Sequence, residues 1–342
     1  MPAIAVADEL RAKGTEVSFL GTRERIEAEL VPAAGYEIDF LSVRGIDRRN
    51  PLRAIGAVAR AALSIPKARR LISRRGADAV MGGGGFVAGP GGLAALSLRL
   101  PLVLTEADSH LGLANRLLAG RARRVCLAFP IEGRTGDRYV VTGRPVPAAV
   151  VEADRDRARE RFGIAPDARC LLVFGGSQGA QTVNRCAVAA FAGRSGRDYD
   201  VLHVTGHRDH DEIASATASA PRYHLLAYEP NLGDCLAAAD LVLARSGGSI
   251  FELTAAGRPA VLVPYPHAAA GHQESNAAWM VDAGAAIVIR DEELSAARLA
   301  EVVDGLIRDE DRLAAMAASS AGLARPDAAR RIADEVLAAV RA

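Results

Sequence analysis

Residues 241–277 read LVLARSGGSIFELTAAGRPAVLVPYPHAAAGHQESNA, and this stretch decides the fold. Leu241–Ala244 and Ala260–Val263 are apolar runs of strand length, and the residues between them have helical spacing, so the segment is a βαβ-like unit of parallel sheet. The first run ends in Ser246, Gly247 and Gly248. A glycine-rich turn from strand to helix presents bare backbone N–H groups and the positive end of a helix dipole, which makes it a seat for phosphate. Glu252 falls near the first helical turn, where a carboxylate accepts bonds from the vicinal hydroxyls of a ribose or hexose. The loop Pro264–Gly271 then delivers His272 and Gln273 to the same sheet edge. Phosphate, diol and a second sugar face are served together, as a nucleotide-sugar site requires. Plainer roles stay open beside these, with Glu252 stabilising a helix start and Gln273 solvated in a loop.

The same alternation of short β-branched runs and longer helical patterns extends along the chain. Strands are expected at Glu16–Leu20, Glu37–Val43, Ala79–Met81, Leu102–Thr105, Val125–Phe129 and Tyr139–Thr142. A second set falls at Cys170–Phe174, Val201–Thr205, Tyr223–Ala227, Leu241–Ala244, Ala260–Val263 and Ala286–Ile289. Two doubly wound parallel sheets are implied, with a Pro-rich joint at Gly143–Val151 and a charged helix at Glu152–Phe162 leading into the second. The expected domains are 1–143 and 144–324, followed by a C-terminal helix at 325–342 that packs back on the first domain. The chain opens as a helix, with Pro2 at a helix-start position and Gly14 as its stop. A doubly wound domain ordinarily begins with a central strand, so either the fold opens unusually or the chain starts one element late; the second is favoured.

At 342 residues, half of them apolar, the chain is long enough for two cores, and it shows neither a membrane-spanning apolar run nor a secretory signal. Cys126, Cys170, Cys186 and Cys235 lie far apart without a C-x-x-C pair, which argues against structural zinc and a disulfide framework and fits a reducing cytoplasm. Net charge is +1, yet residues 1–142 carry 21 Lys and Arg against 14 Asp and Glu, while residues 143–342 carry 21 against 27. Much of the excess lies between Arg48 and Arg75, where Arg48, Arg49, Arg53, Arg60, Lys67, Arg69, Arg70, Arg74 and Arg75 meet no carboxylate. Leu52, Ile55, Val58, Leu63, Ile65, Leu71 and Ile72 give that stretch an apolar face. It suits either an anionic membrane surface or a solvated basic helix. Nucleic acid is disfavoured, because the overall charge is near zero and only 4% of residues are aromatic.

Three further glycine clusters follow strands: GGGGFVAGPGG at Gly82–Gly92, GGSQGAQTVN at Gly175–Asn184, and Gly206. None contains G-K-[ST] or fits G-x-G-x-x-G with a later acidic residue, so ATP and dinucleotide sites are disfavoured. Gly176, Ser177 and Gln178 stand where a hydroxyl and backbone amides take a phosphate at a helix start; a plain tight turn is the alternative.

Taken in order, GGGGFVAGPGGLAA, the TEAD segment at Thr105–Asp108, GGSQGAQTVN, RSGG…E and PYPH…HQ…N resemble the MurG family of N-acetylglucosaminyltransferases, from Pro2 almost to the C-terminus. The resemblance implies the GT-B architecture, two Rossmann-like domains facing a cleft, with UDP-GlcNAc bound mainly by the second. It implies transfer of GlcNAc to the C4 hydroxyl of undecaprenyl-pyrophosphoryl-MurNAc-pentapeptide, at the inner face of the cytoplasmic membrane, without a cofactor. On the family's pattern Ser177 is the donor-contacting serine, Gly247–Ser249 line the pyrophosphate and Glu252 holds the uridine ribose. His272 and Gln273 face the sugar hydroxyls, while Tyr228 and Glu229 stand at the uracil contact, served by backbone groups and the Tyr228 ring.

This sequence also departs from the pattern. The family's opening strand and glycine loop with a histidine have no counterpart before Pro2. Thr105-Glu106-Ala107-Asp108 replaces H-E-Q-N, and Gly143-Arg144-Pro145-Val146-Pro147 replaces G-N-P-V-R, so the arginine comes early. The implied reaction inverts the anomeric carbon and needs a base near the attacking hydroxyl and fixed dipoles for the departing diphosphate. Asp108 and Glu106 are the candidate bases, with Asp108 equally suited to cap a helix Ser109–Leu118 and His110 a weaker candidate. No D-x-D stands at a strand end, so metal independence is expected. Two other readings stay open: another GT-B UDP-sugar transferase with a lipid or small-molecule acceptor, and a truncated nucleotide-sugar-binding protein with little turnover.

Overall fold

The computed structural model describes residues 2–43, 51–175, 181–194, 196–268 and 271–341, with side chains from residue 56 onward in the helix that starts at Pro51. The polypeptide divides into two compact units, Met1–Val146 with Arg325–Ala342, and Pro147–Ala324.

In the first unit, β1 (Ser18–Gly21) pairs in parallel with β2 (Glu37–Phe40) as a two-stranded sheet. A separate four-stranded parallel sheet has the order β3 (Val80–Gly82), β4 (Leu102–Glu106), β5 (Arg124–Leu127), β6 (Tyr139–Val141). The opening helix Pro2–Ala12 and the final helix Ala328–Arg341 pack together. Val6 and Leu10 from one meet Ile332, Ala333 and Val336 from the other, over Val103 and Cys126 of the sheet. Arg124 also donates to Glu335 at 2.9 Å. Where the chain leaves β6, Gly143 has φ +84°, and a Cβ there would stand 2.5 Å from the Cβ of Arg325, so only glycine lets the returning segment approach.

The second unit holds one continuous parallel sheet. Its strands are β7 (Cys170–Phe174), β8 (Asp200–Val204), β9 (Tyr223–Leu226), β10 (Leu241–Ala244), β11 (Ala260–Leu262) and β12 (Ala286–Val288), in the order β12-β11-β10-β7-β8-β9. Strand order reverses between β7 and β10, and ligands of open α/β sheets bind beyond the carboxyl ends of the strands at that switch. Both strands are buried along their whole length, as a strand covered by helices on both faces must be. Asp240 anchors the frame below: it accepts from Arg155, from the buried Arg159 and from the Cys170 N–H, tying the helix Arg155–Phe162 to β7 and β10.

All twelve expected strands are present, with ends that move by up to three residues. Two helices differ from expectation. The charged helix starts at Arg155 rather than Glu152, because the Asp154 carboxylate accepts from the Arg157 N–H and caps it there. The helix expected at Ser109 starts only at Leu113, with Gly112 at its cap position and no side-chain cap, so Asp108 does not cap it. The Glu106 carboxylate is the reason: it draws the N–H groups of Ala107, Asp108 and Gly112 onto itself and holds the segment as a loop.

The helix Pro51–Arg75 is continuous over 25 residues. Ala57, Ala68, Leu71 and Ile72 face inward, so part of its expected apolar face is spent on the core. Val58 and Leu63 are exposed, 54% and 79%, beside exposed Arg60, Lys67, Arg69 and Arg70. Arg74 and Arg75 pair with Asp39 at 2.9 Å. Arg48 and Arg49 lie outside the described residues, as does the side chain of Arg53. No helix among the described residues is long and apolar enough to cross a membrane.

Candidate functional site

The strand end after β10 is built from two residues with opposite tasks. Arg245 is buried and points back into the unit, where Nη1 donates to the carbonyls of Val263 and Pro264 at 3.1 and 3.2 Å and pairs with Asp291. Ser246 is fully buried, and its hydroxyl donates to the Gln273 carbonyl at 2.8 Å. Asn276, also buried, donates from Nδ2 to the Ser246 carbonyl at 3.0 Å. Gly247, Gly248 and Ser249 follow, and the helix after them, Ile250–Ala255, has only six residues. Its dipole is correspondingly short, so an anion seat there rests on backbone N–H groups of the turn more than on the helix. Glu252 lies in the first turn of that helix, half-buried.

Gln273 is held at both ends. His272 and Gln273 open the helix His272–Asp282 rather than lying in a loop, with Gly271 before them in the left-handed region at φ +64°. The Tyr265 N–H donates to Gln273 Oε1 at 2.9 Å. Because an N–H can only face the amide oxygen, Nε2 is the outward donor end, and it lies 3.7 Å from where a Cβ on Gly247 would stand. A donor amide beside a bare glycine suits a sugar hydroxyl.

At the ends of β8 and β9, Tyr228 is 58% exposed and its ring stacks on His207, centroids 5.5 Å apart with planes 26° apart. His207 escaped the sequence reading; the signal for it was its place directly after Gly206, at the end of a strand next to β7. Glu229 is buried, and its carboxylate accepts from Arg161 at 2.6 Å and from the Asn231 N–H at 2.9 Å. Its side chain is thus committed to the unit's own structure, leaving only its backbone for a ligand.

Beneath this edge runs a buried polar network. Asn184 Nδ2 donates to the Thr205 carbonyl and to Asp209, both at 2.9 Å, so its Oδ1 must accept from His203 Nε2 at 3.1 Å. His203 Nδ1 then accepts from the Tyr223 hydroxyl at 2.8 Å. One neutral tautomer satisfies every partner, and burial drives the His203 pKa down to about 3. The network fixes the helix Gln181–Phe191, which follows the GGSQGA loop, against the segment that carries His207. Gly176, Ser177 and Gln178 themselves lie outside the described residues.

In the first unit, Glu106 is 7% exposed. Its Oε1 accepts from the Ala107 and Asp108 N–H groups at 3.0 and 3.2 Å, and Oε2 accepts from the Gly112 N–H at 2.8 Å and Asn115 Nδ2 at 2.9 Å. Four donors occupy both oxygens, the geometry of a loop organiser rather than of a proton acceptor. Asp108 and His110 are half-buried on the loop so formed, and Arg144 is half-buried after β6. Burial pushes the Cys126 and Cys170 thiols up to about 12, which leaves them unreactive. Among the described residues no group of three or more His, Cys, Asp or Glu is placed to hold a metal ion.

Comparison with known proteins identifies the family. Residues 1–127 match the glycosyltransferase family 28 N-terminal domain, and residues 170–332 match the family 28 C-terminal domain. A protein of Moorella thermoacetica, named UDP-N-acetylglucosamine–N-acetylmuramyl-(pentapeptide) pyrophosphoryl-undecaprenol N-acetylglucosamine transferase, is 40% identical, the match covering 99% of this chain and 95% of that one. A protein of the same name from Methylococcus capsulatus is 41% identical over 97% of this chain and 93% of its own. The crystal structure of MurG from Acinetobacter baumannii superposes with a TM-score of 0.82 at 28% identity, covering 98% of this chain and 95% of that one.

Proposed function

The chain belongs to glycosyltransferase family 28, among the MurG-type GT-B enzymes, and from that premise we propose that it moves GlcNAc from UDP-GlcNAc to the C4 hydroxyl of undecaprenyl-pyrophosphoryl-MurNAc-pentapeptide, converting lipid I to lipid II in peptidoglycan synthesis. The observation that carries the donor assignment is the Gln273 amide, fixed with its donor end beside Gly247, on the strand edge that also bears Glu252. In this reading Gly247, Gly248 and Ser249 offer backbone N–H groups to the pyrophosphate, Glu252 accepts from the ribose hydroxyls, and Gln273 with His272 meets the GlcNAc hydroxyls. Tyr228, braced by His207, covers the uracil. Ser177 and its neighbours complete the phosphate contacts as the family pattern implies, and Arg144, which comes earlier than the family's arginine, is assigned to the same phosphates.

Chemically, the acceptor oxygen forms a bond to the anomeric carbon from the face opposite UDP, the bond from that carbon to the phosphate oxygen breaks, and its electron pair leaves with UDP. The hydroxyl proton goes to a carboxylate. Asp108 is assigned that role in preference to Glu106, whose oxygens already accept four bonds, and Glu106 is assigned the placement of Asp108. Backbone N–H groups of the Gly247–Ser249 turn stabilise the charge that gathers on the diphosphate. The exposed Arg60, Lys67, Arg69 and Arg70, with Val58 and Leu63 among them, are assigned to an anionic membrane surface where the lipid-linked acceptor resides.

The test is calorimetric binding of UDP-GlcNAc to the wild type and to Glu252→Ala and Gln273→Ala, followed by UDP release with a lipid I analogue. Each substitution is expected to weaken binding by about tenfold, the worth of one or two hydrogen bonds to a ligand. Undiminished affinity in both variants, or transfer from UDP-glucose but not UDP-GlcNAc, overturns the assignment. The division of the first unit's sheet favours one second reading, a chain that holds the donor but turns over slowly; rapid lipid II formation rules it out.

A further inference from the structure

The donor reading assigns Gln273 to the sugar and leaves open what decides which end of its amide faces outward. An amide has a donor end and an acceptor end of nearly the same shape, and a rotation by 180° exchanges them. Three contacts fix the choice. Tyr265 N–H holds Oε1, Ser246 Oγ holds the Gln273 main-chain carbonyl, and Arg245 grips the Pro264 carbonyl, which shares a peptide plane with the Tyr265 N–H, together with the Val263 carbonyl before it. The Arg245 guanidinium also lies 5.5 Å over the Tyr265 ring.

Arg245 is an expensive device for this task. Its side chain is 9% exposed, and a cation so placed is tolerated only when paired and hydrogen-bonded. The pairing comes from Asp291, in the turn after β12 at the edge of the sheet. If the backbone of the Pro264 loop needed no orientation, an apolar residue would fill the space under it with less desolvation.

We propose that Arg245 and Asp291 are positioning residues for donor recognition: through the Pro264–Tyr265 backbone they lock Gln273 with its N–H end outward, and so fix the configuration of the sugar hydroxyl that the enzyme accepts. The inference rests on the donor assignment above and deepens it. Neither residue touches the ligand. Weakening the clamp lets the amide shift and rotate, so the sugar hydroxyl loses a donor of fixed position while the nucleotide contacts stay.

The experiment measures affinity for UDP and for UDP-GlcNAc, together with the kcat/KM ratio for UDP-GlcNAc over UDP-GalNAc, which differs only in the configuration of one ring hydroxyl. Arg245→Lys and Asp291→Asn are compared with Gln273→Ala and with the double variant Asp291→Asn/Gln273→Ala. Each clamp variant is expected to lose about fivefold in UDP-GlcNAc affinity and a similar factor in epimer preference, with UDP affinity within about twofold of wild type. In the Gln273→Ala background, Asp291→Asn should add nothing. A clamp variant that weakens UDP and UDP-GlcNAc equally has a structural role only, and the proposal fails. It fails too if Gln273→Ala loses sugar affinity while both clamp variants keep it. Should Gln273→Ala itself bind UDP-GlcNAc like wild type, the donor assignment falls, which is a separate result. If Arg245→Lys does not fold, Asp291→Asn carries the test, since it alters the more exposed end of the pair.

Discussion

The two units use the same parallel α/β grammar and arrive at different frames. In the second, six strands form one sheet, and the strands at the switch point, β7 and β10, are bonded to each other from Leu171↔Leu241 to Phe174↔Ala244. In the first, β1 and β2 form one sheet and β3 to β6 another, and among the described residues β1 and β3 each have a paired neighbour on one side only. Burial follows pairing: β7 and β10 are buried at every position, whereas β1 and β3 are half-exposed at most of theirs. The edge of a continuous sheet can draw partners from a neighbouring strand end, as Gln273 does from Ser246, 27 residues away. A site on a divided sheet must organise itself locally, as the Glu106 loop does.

The largest expected consequence is in hydrogen exchange. Amides of β7 and β10, bonded on both sides and dry, open only with the whole unit, while those of β1 and β3 open by local separation. Protection factors of the two sets should differ on the order of a thousandfold, and equal protection would break the comparison at its root. Next in size is a pair of glycine substitutions. A Cβ on Gly233 would stand 2.2 Å from the Ala149 carbonyl oxygen, a backbone atom that cannot turn aside. Gly233→Ala should therefore cost the second unit about 3 kcal/mol in chemical denaturation, and Gly143→Ala should cost the first unit a similar amount through its positive φ and Arg325. If each variant lowers the same transition, the units do not unfold as separate bodies.

The pH response sharpens the contrast further. His203 is neutral in the fold with a pKa of about 3, against 6.5 for the free side chain, so between those values the unfolded chain binds a proton that the folded chain refuses. Its contribution is fully present above pH 6.5 and is lost as pH falls toward 3, amounting to about 2 kcal/mol by pH 5. Acidification to pH 5 should thus lower the second unit's stability by about that amount. A His203→Gln variant should show a flatter profile across the same window, and an unchanged profile would remove His203 as the cause.

How much of this was legible in the sequence follows from how local each feature is. Strands buried on both faces, such as Cys170–Phe174 and Leu241–Ala244, are written as unbroken apolar runs, and their ends were readable to the residue. The glycine turn, Glu252 and Gln273 were visible as a combination of residue types at one strand edge. Partners supplied from afar were not visible. Nothing at Gln273 announces that the Ser246 hydroxyl, 27 residues back, holds its carbonyl, nor at Glu229 that Arg161 claims its carboxylate from 68 residues away. The stack of His207 on Tyr228 joins two strand ends that are neighbours only once β8 and β9 pair. The delayed helix start at Leu113 is the most instructive failure, because helical spacing runs unbroken from Ser109 to Leu118 and a single buried carboxylate overrides its first turn.

That carboxylate supplies the smallest effect and the finest test of local organisation in the first unit. In Glu106→Gln the side chain keeps its shape, and one oxygen can still accept two N–H groups. The new NH2 would meet the donors that Oε2 now serves, the Gly112 N–H and Asn115 Nδ2. Asn115 is buried, and its own Oδ1 has no hydrogen-bonding partner among the described residues, so turning its amide over offers the glutamine an acceptor. The turn sacrifices the bond from Asn115 Nδ2 to the Thr105 carbonyl, now 2.9 Å long. The net expectation is a loss of about 1 to 2 kcal/mol of stability, and a larger fall in kcat than in donor affinity, because Asp108 loses its fixed place while the second unit is untouched. Asp108→Asn should lower kcat without that stability loss. Equal stability and equal kcat in Glu106→Gln would mean that the loop is held by something other than its carboxylate, and the first unit would then share the second unit's reliance on distant partners.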